Sequence, residues 1–108
     1  MKTYEGARAL DGALVTVDGR PLDPRYDVAR LSTTGFEWTY EGTGPNQLAL
    51  ALLADHLGDV AEALRLAPAF ARDTVAMLDN SWQLTSADID SALQRLRRGA
   101  TEASPPHQ

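Results

Sequence analysis

The stretch Pro45-Asn46-Gln47-Leu48-Ala49-Leu50-Ala51-Leu52-Leu53-Ala54-Asp55-His56-Leu57 limits what this chain can become more than any other. Leucine and alanine are strong helix formers, and at 3.6 residues per turn Leu48, Leu50, Leu52, Leu53 and Leu57 leave almost no polar face. A helix that is apolar all round must be enclosed by other elements. Pro45 suits a first helical residue, with Thr43 or Gly44 as N-cap, and Gly58 suits the stop. The remainder of a 108-residue chain, 44% hydrophobic and 23% charged, has to form the enclosure. That is enough for one modest core.

The N-terminal third reads as strands. Residues 4–10 and 13–17 are short β-like segments separated by Asp11-Gly12, and a second Asp18-Gly19 leads into Arg20-Pro21-Leu22. Asp-Gly between apolar segments is a hairpin signal, since both residues tolerate positive φ. Pro21 has no N–H to donate, so the third segment belongs at an edge. Phe36-Glu37-Trp38-Thr39-Tyr40 alternates aromatic and polar residues with period two, which predicts a half-buried strand with all three aromatics on one face. Trp38 is expected in the core, with Tyr40 at the strand end divided between core and surface.

Beyond the central helix, residues 60–67 predict a second helix burying Val60, Ala63, Leu64 and Ala67, broken at Pro68. Residues 68–78 predict a third, burying Phe70, Thr74, Met77 and Leu78. Ser81-Trp82-Gln83-Leu84 suits a last strand or an extended link, with Trp82 half exposed between polar neighbours. Thr85-Ser86-Ala87-Asp88 resembles a capping box and opens a helix burying Ile89, Ala92, Leu93 and Leu96, with Gly99 as its C′ stop. The expected fold is α+β: a small antiparallel meander packed on a buried central helix with two or three further helices over residues 1–99, then a disordered tail over 100–108.

Several classes of function are disfavoured. With no cysteines, disulfides and thiolate metal sites are excluded and a cytoplasmic setting is expected. Met1-Lys2-Thr3-Tyr4-Glu5 lacks a signal peptide's apolar core, and the apolar run 48–54 is far short of the ~20 residues that span a bilayer. A net charge of −5 argues against direct nucleic-acid binding. The two histidines, His56 and His107, find no local companions for a metal site, and His56 at a helix end should face water or a carbonyl. Ser32, Ser81, Ser86 and Ser91 lack a nucleophile elbow. No cofactor, metal or catalytic group is expected.

Two surfaces stand out. Between Arg30 and Arg65 there is no lysine or arginine, yet Glu37, Glu41, Asp55, Asp59 and Glu62 lie there. With Tyr40 and Trp82, these form the expected contact set for another protein with a basic surface, such as a nucleic-acid-binding protein whose groove is occluded. The alternative is an anion or nucleotide site at Gly42, Thr43 and Gly44, where a helix N-terminus offers free N–H groups. That turn lacks the full dinucleotide or P-loop pattern, and Glu41 beside it would repel phosphate.

The run from Gly35-Phe36-Glu37-Trp38 through Gly42-Thr43-Gly44-Pro45 to Leu52-Leu53 resembles the signature of a family of small uncharacterised prokaryotic and phage-encoded proteins. Val15-Thr16-Val17-Asp18-Gly19-Arg20-Pro21-Leu22 and Trp82-Gln83-Leu84-Thr85 are similar to its other segments. Thr39 stands where that family usually has glycine, and Thr43 where it has serine. The resemblance implies a prokaryotic or phage setting and carries no catalytic residues. A non-enzymatic interaction module, plausible as a mobile-element accessory or counter-defence factor, is the function expected.

Overall fold

The computed structural model describes residues 1–10 and 12–103. Strands β1 (Thr3–Ala9), β2 (Gly12–Val17) and β3 (Arg20–Pro21) precede helices α1 (Thr43–Leu57) and α2 (Val60–Asp73). A 3-10 turn over Val75–Met77 leads to strand β4 (Trp82–Thr85) and helix α3 (Ser86–Ala103). All pairings are antiparallel, in the order β3-β2-β1-β4. The α+β architecture expected from the sequence is the one observed.

The first three strands form the expected meander. Asp18 and Gly19 both take positive φ, 50° and 83°, so the second hairpin turns as its sequence signals. Asp11 of the first turn lies outside the described residues. Pro21 sits in the two-residue edge strand, where its missing N–H leaves no ladder bond unmade.

The fourth strand is not the one the aromatic alternation points to. Residues 36–40 form no strand. Gly35 and Thr39 bracket the segment with φ of 90° and 82°, breaking the extended run, and both edges of β1 are already filled by β2 and β4. Residues 82–85 take the place instead, with Tyr4 opposite Leu84 and Gly6 opposite Trp82.

Helix α1 is enclosed as its composition requires: Leu48, Ala49, Leu50, Ala51, Leu52 and Leu53 are all fully buried. It begins two residues before Pro45, with Gly42 as N-cap. Proline is tolerated there because the first four N–H groups of a helix have no intrahelical partner in any case. Gly58, at φ 68°, closes the helix in the left-handed region, as expected.

Helix α2 runs unbroken through Pro68 and replaces the two helices expected from that residue. Pro68 and Leu64 are both exposed, so the carbonyl deprived of its partner lies on the solvent side. The buried stripe is Ala63, Leu66, Ala67, Phe70 and Ala71; Val60 and Leu64 stay exposed. Thr74 is half-buried, and Met77, at 76% exposure, is not a core residue.

At the start of α3 the capping box is reciprocal. The Asp88 N–H donates to Thr85 Oγ1 at 3.2 Å, and the Thr85 N–H donates to Asp88 Oδ2 at 2.9 Å. Ile89, Ala92 and Leu93 are buried as expected. The helix does not stop at Gly99 but continues to Ala103; glycine weakens a helix interior by ~1 kcal/mol without forbidding it. Of the tail expected to be disordered over residues 100–108, residues 100–103 thus belong to α3; residues 104–108 lie outside the described residues. Among the described residues no helix is long and apolar enough to cross a membrane.

Candidate functional site

Alternation along the strands sorts the sheet into two faces. By register, Tyr4, Gly6 and Arg8 share the inner face with Ala13, Val15, Val17, Trp82 and Leu84. Here Tyr4, Val15 and Trp82 belong to the core. Trp82 is only 8% exposed, contrary to the expectation of half exposure. Its polar neighbours Ser81 and Gln83 are the outward residues of a half-buried strand, and its indole crosses Gly6, where a Cβ would lie 2.3 Å from the ring. Trp82 meets Trp38 edge to face, with centroids 5.7 Å apart.

The outer face carries Thr3, Glu5, Ala7 and Ala9 of β1, Gly12, Leu14 and Thr16 of β2, and Gln83 and Thr85 of β4. Glu5, Ala7, Ala9 and Gln83 are exposed, as is Leu14 at 54%. A depression of about 350 Å³ opens on this side, lined by Glu5, Gly6, Ala7, Leu14, Thr16, Ser81 and Trp82. A second, smaller groove of about 220 Å³ lies between α2 and α3, lined by Arg65, Leu66, Ala69, Leu96 and Arg97.

The acidic residues singled out in the sequence do not converge on one site. Glu37 pairs with Arg8 at 3.1 Å. Asp55 accepts a hydrogen bond from the Tyr4 hydroxyl at 2.7 Å and pairs with Lys2 at 3.1 Å, tying the end of α1 to the start of β1. Burial, and then that bond to a carboxylate, push the Tyr4 phenol well above its ordinary value. Asp59 caps α2 by accepting from the Glu62 N–H at 3.1 Å. Glu62 is held by Arg65 at 2.6 Å, and this bond keeps its carboxyl below the usual range. Glu41 is exposed, as is Tyr40 at 50%.

Of the turn Gly42-Thr43-Gly44, Gly44 is buried and Gly42 half-buried, while Thr43 is exposed. A Cβ on Gly44 would lie 2.7 Å from the Glu37 Cβ, and one on Gly42 would lie 2.9 Å from the Tyr40 ring. Glu37 and the Tyr40 ring thus pack against the two glycines of the turn expected to hold an anion. His56, expected to face water or a carbonyl, shares a 2.7 Å hydrogen bond through its Nε2 with Asp90. His107 lies outside the described residues. Among the described residues no group of three or more His, Cys, Asp or Glu is placed to hold a metal ion.

Two organising residues escaped the sequence reading. Gln47, fully buried in α1, uses every hydrogen-bonding position of its amide. Its Oε1 accepts from the N–H groups of Leu31 and Ser32, and its Nε2 donates to the carbonyls of Pro24 and Ala29. The signal was a polar residue directly abutting the leucine run. Arg8 donates to the Trp38 carbonyl at 3.1 Å and to Thr39 Oγ1 at 2.9 Å, and lies 4.7 Å over the Trp38 ring. Nothing local to Arg8 announces these partners, which are distant in sequence.

The profile of a family of unknown function, DUF6166, matches residues 4–95, nearly the whole described chain. The chain belongs to the DUF6166 family. No curated protein and no solved structure matches it.

Proposed function

We propose that this DUF6166 protein is a non-enzymatic interaction module that binds another protein through the uncovered outer face of its sheet. The observation that carries this reading is the exposure of Ala7, Ala9 and Leu14 side by side, with Glu5 the one charge on the outward positions of β1, β2 and β4. Antiparallel sheets with a solvated face normally alternate apolar inward with polar outward. A contiguous apolar strip on the outside is the pattern of a surface awaiting a partner.

The acidic residues expected to make the contact support it differently. Glu37, Asp55, Asp59 and Glu62 are engaged within the fold, and what they contribute outward is the field of a chain with net charge −5. Such a field speeds encounter with a basic partner while the apolar strip supplies the contact. In a mobile-element or phage setting, the corresponding role is an accessory or counter-defence factor that occludes a basic host protein.

The test compares affinity capture from host lysate by the native chain, Leu14→Lys, and the double variant Glu37→Lys with Glu41→Lys. Loss of the captured protein with Leu14→Lys alone is the expected result. Loss only with the double variant would move the site to the loop before α1.

A further inference from the structure

We infer that the depression on the outer sheet face is a receptor for one long cationic side chain, arginine or lysine, presented by the partner. This rests on the reading of the face as an interaction surface and specifies the chemistry it accepts.

Glu5 is the reason. Among the described residues its carboxylate has neither an ion-pair nor a hydrogen-bond partner, whereas Glu37, Asp55 and Glu62 are each paired with a cation. Its cross-strand neighbours, Thr16 on one side and Gln83 on the other, are uncharged and cannot neutralise it. One step along the same face, Ala7 stands opposite Leu14. Residues two apart on a strand are separated by ~7 Å, about the reach of an extended arginine or lysine side chain. The stem of such a side chain would lie along Leu14 and Ala7 while its head met Glu5, as amphipathic cations do on mixed surfaces. The apolar wall lowers the local dielectric and strengthens the charge contact.

The partner approaches the face rather than a sheet edge, because both edges are blunted. Pro21 occupies the β3 edge, and Asp88 takes the Thr85 N–H of β4. A second copy of this chain is a poor occupant. Across a two-fold axis the same patch meets itself, bringing two Glu5 carboxylates into one apolar interface between chains of net charge −5.

The experiment titrates the ¹⁵N-labelled full chain with a short threonine-valine peptide carrying a central arginine, and with counterparts carrying citrulline or glutamate there. The expected result is saturable movement of the Glu5, Ala7, Leu14 and Thr16 amides with the arginine peptide. Binding should be at least tenfold weaker for citrulline, for glutamate, and for the arginine peptide added to Glu5→Gln. Equal binding of the arginine and citrulline peptides would overturn the cation receptor and leave the face as an interaction surface. Silence of the face toward all three peptides would overturn both. Sedimentation showing a dimer abolished by Leu14→Lys would give the face to a second copy and likewise overturn the receptor. Should Glu5→Gln unfold, the citrulline comparison on the native chain still decides.

Discussion

Trp38 and Trp82 touch at the centre of the molecule, yet the backbones that carry them are held in different ways. Residues 82–85 are fixed by main-chain pairing to β1 and by the reciprocal cap that starts α3. Among the described residues, residues 36–40 make one main-chain to main-chain bond outside themselves, from the Thr39 N–H to the Val75 carbonyl at 3.2 Å. Their position comes from side chains: Trp38 in the core, Arg8 reaching the Trp38 carbonyl and Thr39 hydroxyl, and Glu37 resting on Gly44. A ladder-held segment keeps its path when one side chain is lost. A segment held by an aromatic anchor does not.

The largest effect should come from that anchor. Trp38→Ala should cost ~3–5 kcal/mol in urea unfolding and should release residues 36–40 to rapid amide exchange while the Tyr4 and Leu84 amides stay protected. Equal loss of protection in both segments would erase the distinction. Next comes Gly6→Val, which places a branched side chain where the Trp82 indole lies. Overpacking of this kind costs ~1–3 kcal/mol, and tryptophan fluorescence should report the displaced ring. An unshifted spectrum with an unshifted midpoint would mean that the close approach across β1 and β4 is not required.

Asp88→Ala removes one half of the cap and should cost ~1 kcal/mol, read as a lowered thermal midpoint with faster exchange of the Thr85 amide. The smallest effect should be at Thr39. Its φ of 82° lies where a side chain is strained, by ~1–2 kcal/mol, while its hydroxyl accepts from Arg8. Thr39→Gly relieves the first and loses the second, so its unfolding midpoint should stay close to the native one. Thr39→Val keeps the strain, loses the acceptor and should be measurably less stable than Thr39→Gly.

The same contrast explains what could be read in the sequence. The Leu-Ala run of α1, the Asp18-Gly19 turn, the edge position of Pro21 and the Thr85–Asp88 cap were legible because their causes are local. The aromatic alternation of residues 36–40 misled because a strand needs a free edge beside it, and pairing order is set by distant parts of the chain. Pro68 misled because the cost of a helical proline depends on whether the orphaned carbonyl faces water. The acidic residues were visible as a group, but Arg8 and Lys2, the partners of Glu37 and Asp55, are fixed only by the fold. The outer sheet face was half legible: alternation marks Glu5, Ala7 and Ala9 as one face of a strand, but not which face the helices leave bare.

The central position of β1 bears on how the protein is made. Strand β1 lies between β2, its immediate successor, and β4, which leads into α3; Lys2 and Ser86, bonded at the end of that ladder, are 84 residues apart. During synthesis the β1–β2 hairpin can form early, but the other edge of β1 stays open until β4 has emerged. Closing so long a loop adds little entropy per further residue but delays the last step. Until then the leucine-rich α1 lacks the finished sheet that shelters it. Nascent chains truncated before β4 should therefore be the species that chaperones hold.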